Sequence, residues 1–256
     1  MEEIKKKYLL LKIPFTIAKK DFLIGQLKEL IVQNSPPKQI ITINLDNLRI
    51  STEDKLFHKT IKESDYILPD GFGIAFLLKK KFNINIERIT GNDLLEELIN
   101  IASANNIKTA FIGASPKTLN FFNRRLKKLF PEWNDYLFHP PSQNFLIGSE
   151  EDLILREKLL SFKPDIVFAA LGCPKQEIWL NEIKNEVGAK INIGIGAAFD
   201  FYSGTKKRAP KIFQKLGFEW LWRLSTEPNR LFRRYILQDF PFLFNTLKQE
   251  KRLKVE

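Results

Sequence analysis

The chain is poor in the residues that build the simplest catalytic and structural devices. Among 256 residues there is one cysteine, Cys173, which excludes an internal disulfide framework and an all-cysteine zinc site. That usage fits a reducing compartment. Two histidines, His58 and His139, exclude a histidine-rich metal centre. No run approaches the ~18 apolar residues that a membrane-crossing helix needs. The N-terminal stretch MEEIKKKYLLLKIPFTIAKK is charged, interrupted by Lys12 and lacks a small-residue cleavage site, so no signal peptide is expected. Neither GxGxxG nor a Walker A sequence occurs, which withholds specific support from NAD and ATP folds.

What is present is a chain that can fold. It is 44% hydrophobic and 28% charged, outside the disordered range. Net charge is +11, and residues 201–256 supply +8 of it, with 13 Lys/Arg against 5 Asp/Glu. Such a tail suits an anionic partner: nucleic acid, an anionic bilayer or a phosphorylated substrate. Plain solubility is the alternative.

Short apolar runs alternate with helical patterns. Strands are expected at 39–45, 66–69, 108–113, 165–171 and 190–196. Helices are expected at 51–63, 72–81, 92–105, 116–129, 150–161 and 175–187. Nearly continuous apolar strands fit a parallel sheet covered on both faces. The alternation predicts a Rossmann-like, doubly wound α/β core, with ligand bound beyond the carboxyl ends of its strands. After Ala197 the composition changes to Trp, Phe, Leu and Arg, broken by Pro228 and Pro241. The predicted division is an α/β core over 1–204 and a basic amphipathic helical appendage over 205–256.

The strand ends hold the groups with chemical potential. In TINLDN, Thr42 and Asn44 stand two apart and share a face of an extended segment. They suit a sugar or phosphate, or simply an Asx turn. In PDGFG, Asp70 reads either as a helix N-cap or as a base facing the crevice. FIGASP places Gly113 in a turn before a helix opened by Pro116, a weak phosphate-loop signal. In GCPKQEIW, Gln176 and Glu177 fall in the first turn of a helix, one suited to a base or sugar hydroxyl, the other to the helix start. Cys173 has no histidine near it in sequence and reads as a small hydrophobe. Asp200 and Ser203 follow the last core strand and either touch ligand or order a turn. Lys206, Lys207 and Arg208 suit a diphosphate or a solvated face. Arg223, Arg230, Arg233 and Arg234 fall at helical spacing among Trp220, Trp222, Phe232 and Tyr235. That mixture suits an anionic membrane surface or an RNA-contacting helix, and the apolar PFLFNTL favours the former.

Taken in order, TINLDN, PDGFGIAFLL, RITGNDLLEEL, FIGASP, FKPDIVFAALGCPKQEIW, NIGIGAAFDFYSG, KRAPKIFQKLGFEWLWRL and EPNRLFRRY resemble the WecG/TagA/CpsF glycosyltransferase family over about residues 38–240. The resemblance implies a metal-independent, inverting hexosyltransferase with no cofactor. It would use a UDP-sugar as co-substrate and a polyprenyl-diphosphate-linked saccharide as acceptor, in cell-wall, teichoic acid or exopolysaccharide synthesis. The donor sugar would be N-acetylmannosamine, its uronic acid or glucose. It further implies a peripheral enzyme on the inner face of the cytoplasmic membrane, not a nucleic-acid binder, and leaves a homo-oligomer open. Asp70 matches the family's base, and Thr42 with Asn44 its polar pair. Arg88 matches an arginine facing the diphosphate, Gln176 with Glu177 the PxQE motif, and the tail arginines the appendage. Pro69 departs from the family's usual alanine, and the first 37 residues match loosely. Without the resemblance, a nucleotide-dependent enzyme of another class and an RNA-binding module both stay open.

Overall fold

A computed structural model describes residues 6–33, 35–215 and 217–252. Residues 1–5 and 253–256, the outer ends of the two expected units, lie outside the described residues. The chain opens with an antiparallel hairpin, β1 (Lys6–Leu10) and β2 (Ile13–Ile17). Six parallel strands then form the main sheet: β3 (Lys38–Ile43), β4 (Tyr66–Pro69), β5 (Thr109–Gly113), β6 (Tyr136–His139), β7 (Ile166–Ala170) and β8 (Ile191–Gly194). Their order is β4-β3-β8-β7-β5-β6. Helices cover both faces, as doubly wound folds require.

Alternate strand residues feed opposite layers. Ile40, Phe111, Phe168 and Ile193 pack under α1 (Lys20–Val32), α5 (Gly91–Ala104), α6 (Pro116–Leu129) and α9 (Ala198–Ser203). Ile41, Ile43 and Ile67 pack under α2 (Leu45–Glu53), α3 (Lys55–Glu63) and α4 (Gly71–Phe82). Ala110, Ile112, Val167 and Ala169 pack under α7 (Glu150–Phe162) and α8 (Lys175–Val187). The hairpin packs beside edge strand β4, where Ile67 N donates to Thr16 Oγ1 at 3.4 Å. Pro69 ends that edge strand, a place where a residue without an N–H is tolerated.

Three local features differ from expectation. The segment 51–63 belongs to two helices, not one. Asn44 starts α2 early, through a capping box with Asn47. Asp54 then interrupts it at φ −107°, ψ 107° and caps α3 by accepting from Phe57 N. That early start also ends β3 at Ile43 rather than residue 45. The hairpin and β6 were not anticipated as strands.

The remainder comprises α10 (Lys211–Lys215), α11 (Glu219–Thr226), α12 (Pro228–Phe232), a π-helical segment (Arg233–Asp239) and α13 (Phe240–Arg252). The π segment packs on α2 and α13 on α4, with Leu231, Tyr235 and Leu243 buried. Among the described residues no helix is long and apolar enough to cross a membrane.

Candidate active site

A cleft of about 530 Å³ lies over the carboxyl ends of β4, β3, β8 and β7. The segment after β8 supplies its far wall, with Lys206, Trp220, Arg223, Arg230, Arg234 and Tyr235 in the lining.

Asp70 follows the last residue of β4 and occupies the N-cap position of α4, at φ −114°, ψ 141°. Its backbone N–H donates to Ile43 O at 2.8 Å, which ties it to the neighbouring strand. Its side chain makes no capping hydrogen bond. The position is that of a cap, but the carboxylate is free of that duty and lines the cleft. Gly71, at φ +74°, turns the chain into the helix in a conformation that favours glycine. Burial pushes the Asp70 carboxyl up to about 6. The Glu219 charge adds to the rise, Arg88 and Arg223 oppose it, and Asp93 adds a little more.

Thr42 and Asn44 line the same floor. The Asn44 Oδ1 accepts from Asn47 N at 3.0 Å and from Arg234 Nη2 at 3.5 Å. The Asx-type cap therefore exists, and it coexists with a place in the cleft. Gln176 and Glu177 are both buried. The Gln176 Oε1 accepts from Gly172 N at 3.2 Å, while its Nε2 donates to Glu177 Oε1 at 2.7 Å. Glu177 Oε2 has no partner, and burial pushes this carboxyl up to about 7. Cys173 lines the floor too; burial, then the Glu177 charge, raises its thiol well above the ordinary range, which keeps it a poor nucleophile.

Arg88 lines the cleft and is held from behind, donating to Gln214 O at 2.7 Å and lying 3.7 Å from Glu219 Oε2. Arg234 pairs with Asp46 at 3.0 Å and Asp239 at 3.5 Å, and Arg49 reaches the same two carboxylates. Burial, then the Asp46 charge, pushes Asp239 up to about 6. Arg230 pairs with Glu227 at 2.6 Å, and the Arg223 guanidinium lies 5.6 Å from the Phe201 ring centroid.

Gly113, Asp200, Ser203, Lys207, Arg208 and Arg233, all candidates from the sequence, stand outside the lining. Gly113 ends β5, beyond the four strand ends that floor the cleft. At φ +113°, a Cβ there would collide with Ala170 O, so close backbone approach accounts for this glycine. Asp200 orders its own turn, accepting from Thr118 Oγ1 at 3.0 Å and receiving Lys206 at 3.8 Å. Arg208 is committed to Asp93 at 3.0 Å and to Thr90 Oγ1 at 3.3 Å. Arg233 is exposed, turned away from the cleft that its neighbour Arg234 lines. Conversely, Glu219, Asp239, Asn92 and Phe72 line the cleft and were not singled out. For Glu219 and Asp239 the available signal was a lone carboxylate set in a strongly basic, aromatic segment. Among the described residues no group of three or more His, Cys, Asp or Glu is arranged to hold a metal ion.

A parallel sheet with a carboxylate held near neutrality at a strand end, opposite a wall of arginines, defines an enzyme site for an anionic substrate. The chain belongs to the WecG/TagA/CpsF family of glycosyltransferases, whose family model it matches over residues 8–256. It is similar to the N-acetylglucosaminyldiphosphoundecaprenol N-acetyl-beta-D-mannosaminyltransferase of Staphylococcus aureus strain NCTC 8325 / PS 47, at 29% identity over 216 residues. That match covers 84% of this chain and 82% of the relative. The protein of the same description from strain MRSA252 matches at the same identity and coverage.

Proposed function

We propose that this glycosyltransferase moves N-acetylmannosamine from a UDP-sugar to an N-acetylglucosamine carried on a polyprenyl diphosphate, inverting the anomeric centre. Support for the sugar and acceptor comes from the names of the Staphylococcus aureus relatives. The observation that carries the mechanism is Asp70: a strand-end carboxylate, released from capping and raised to about 6, inside the cleft.

The reaction is a single displacement. The acceptor hydroxyl oxygen bonds to the anomeric carbon while the bond from that carbon to the UDP oxygen breaks. Asp70 takes the hydroxyl proton, and its fixed position at the end of β4 holds it in line. Charge appears on the departing diphosphate. Arg88, Arg223, Arg230 and Arg234 are the guanidiniums in the cleft available to meet it, with free N–H groups at the start of α4. Thr42 and Asn44 contact the nucleotide or sugar hydroxyls. Gln176 and Glu177 shape the floor, since both carboxamide atoms of Gln176 are already engaged.

Residues 205–256 act in this reading as a unit that completes the site and touches the inner face of the cytoplasmic membrane. Exposed Ile212, Phe218, Leu221, Phe232 and Leu237, interspersed with arginines, support that placement. The test is a panel of UDP-sugars with prenyl-diphosphate-linked N-acetylglucosamine. Transfer from UDP-N-acetylmannosamine to give a β-linked disaccharide is expected, and UDP but not NAD should raise the melting temperature. No transfer from any UDP-sugar, with no UDP-induced shift, overturns the proposal.

A further inference from the structure

The geometry points to Glu219 as a positioning residue for the transfer reaction: from α11 it presents a carboxylate to the cleft that holds Asp70, within 4 Å of Arg88 and Arg208 but hydrogen-bonded to neither, and its charge offsets the pull of the cleft arginines on the base. This inference rests on the proposed role of Asp70.

Glu219 lines the cleft, with its side chain 18% exposed. Its two oxygens lie near different guanidiniums, Oε2 at 3.7 Å from Arg88 Nη2 and Oε1 at 3.9 Å from Arg208 Nε. Both separations are too long for hydrogen bonds. Each arginine has its close partner elsewhere: Gln214 O at 2.7 Å for Arg88, and Asp93 Oδ1 at 3.0 Å for Arg208. A carboxylate clamped by a bidentate guanidinium would have most of its field cancelled nearby. Glu219 is held loosely by two, so its charge still reaches across the cleft.

The charges around Asp70 come from several elements. Arg88 lies on the segment before α5, Asp93 on α5, and Arg223 on α11 together with Glu219. The two arginines favour an ionised Asp70, which weakens it as a base, while Glu219 and Asp93 oppose them. Asp93 is already committed to Thr90 and Arg208. Glu219 is the carboxylate with the larger effect on Asp70, and it belongs to the segment beyond the last core strand. The place of α11 beside the cleft therefore does two things at once. It brings Arg223 to the substrate and supplies the negative charge that keeps Arg223 and Arg88 from silencing the base. An arginine wall alone would bind diphosphate while spoiling the acceptor's activation.

The experiment measures the pH dependence of kcat/KM for Glu219→Gln against wild type, with the UDP-sugar and lipid-linked acceptor. Glu219→Gln should move the acid limb to lower pH and lower the plateau by about 3- to 10-fold, with most of the loss in kcat. A merely structural role would scale the profile down without moving the limb, and that result overturns the inference. Glu219→Asp keeps the charge, and its limb should stay at the wild-type pH. A displaced limb in Glu219→Asp also overturns the inference, and this variant decides the matter should Glu219→Gln melt below the assay temperature. Asp70→Asn separates the two levels. If it turns over normally, the proposed role of Asp70 falls. If it is inactive while the Glu219→Gln limb stays put, only the role of Glu219 falls.

Discussion

The floor and the wall of the cleft are built on different principles. The floor comes from four adjacent strand ends, and its polar groups largely satisfy one another: Asn44 with Asn47, and Gln176 with Gly172 and Glu177. Strand register fixes those positions, because β3 pairs with both β4 and β8 along its length. The wall comes from residues 206–243 and combines aromatic contacts of Trp220 with Tyr235 and Phe240 with ion pairs that reach the cleft: Arg230 with Glu227, and Arg234 with Asp46 and Asp239. Few of its large apolar residues are buried, while Phe232 is 54% and Leu237 61% exposed. Partly solvated ion pairs fix geometry less firmly than a sheet does. The floor is thus suited to holding the reacting groups still, and the wall to answering charge that comes and goes with substrate.

The largest effect should come from the floor. Asp70→Asn should lower transfer by about 10²- to 10⁴-fold, measured as initial rate with saturating donor. It should also stabilise the fold. Asp70 titrates near 6 when folded and near 3.8 in the unfolded reference, so the folded state binds the proton more tightly. Stability therefore falls as pH rises between about 4 and 6, and the loss persists at higher pH. Asparagine carries no charge and escapes that loss, which predicts a gain of about 1–3 kcal/mol at pH 7 and little change at pH 4. A variant that loses activity and stability together would place Asp70 in a structural role instead.

Gly113 tests where the floor ends. Gly113→Ala meets both a left-handed φ and a contact with Ala170 O, and should cost about 2–4 kcal/mol in urea unfolding. The molecules that remain folded should keep the wild-type KM for the donor, because Gly113 lies outside the lining. A raised KM in a stable variant would extend the floor to β5.

Much of the floor was legible because its signals are local. The boundaries of α6 and α8 match the sequence reading, and β4 follows from its apolar run and the Pro-Asp-Gly break. The hairpin was not legible for an identifiable reason. Its turn places Leu11 and Lys12 at φ 47° and 65°, positions where glycine or asparagine is the usual signal. Strand β6 is four half-buried residues at a sheet edge, too short to show a period. The capping box at Asn44 was present in the sequence as Asn44 and Asn47, but the apolar TINL run reads equally as strand. The wall was legible as composition and not as pairing. Which arginine lines the cleft and which does not depends on tertiary packing, so Arg208 and Arg233 read like Arg223 and Arg234.

The adjacent pair Arg233 and Arg234 carries the distinction to its smallest scale. Arg234 bridges Asp46 and Asp239, so Arg234→Ala leaves that carboxylate pair with Arg49 alone, 3.9 Å from Asp239, and should cost about 1–2 kcal/mol. Asp239 is pushed up to about 6, so that cost should grow as pH rises through 6 and Asp239 ionises, and shrink toward pH 4. Arg233→Ala removes an exposed charge and should change stability by no more than about 0.5 kcal/mol, with unchanged turnover on a soluble acceptor. Its effect should appear on vesicles containing anionic lipid, where losing one basic residue near the surface weakens binding by about 1 kcal/mol, roughly fivefold. Equal vesicle binding by Arg233→Ala and wild type would mean that the exposed face of the wall does not meet the membrane. The arginines turned inward would then be the only ones with work to do.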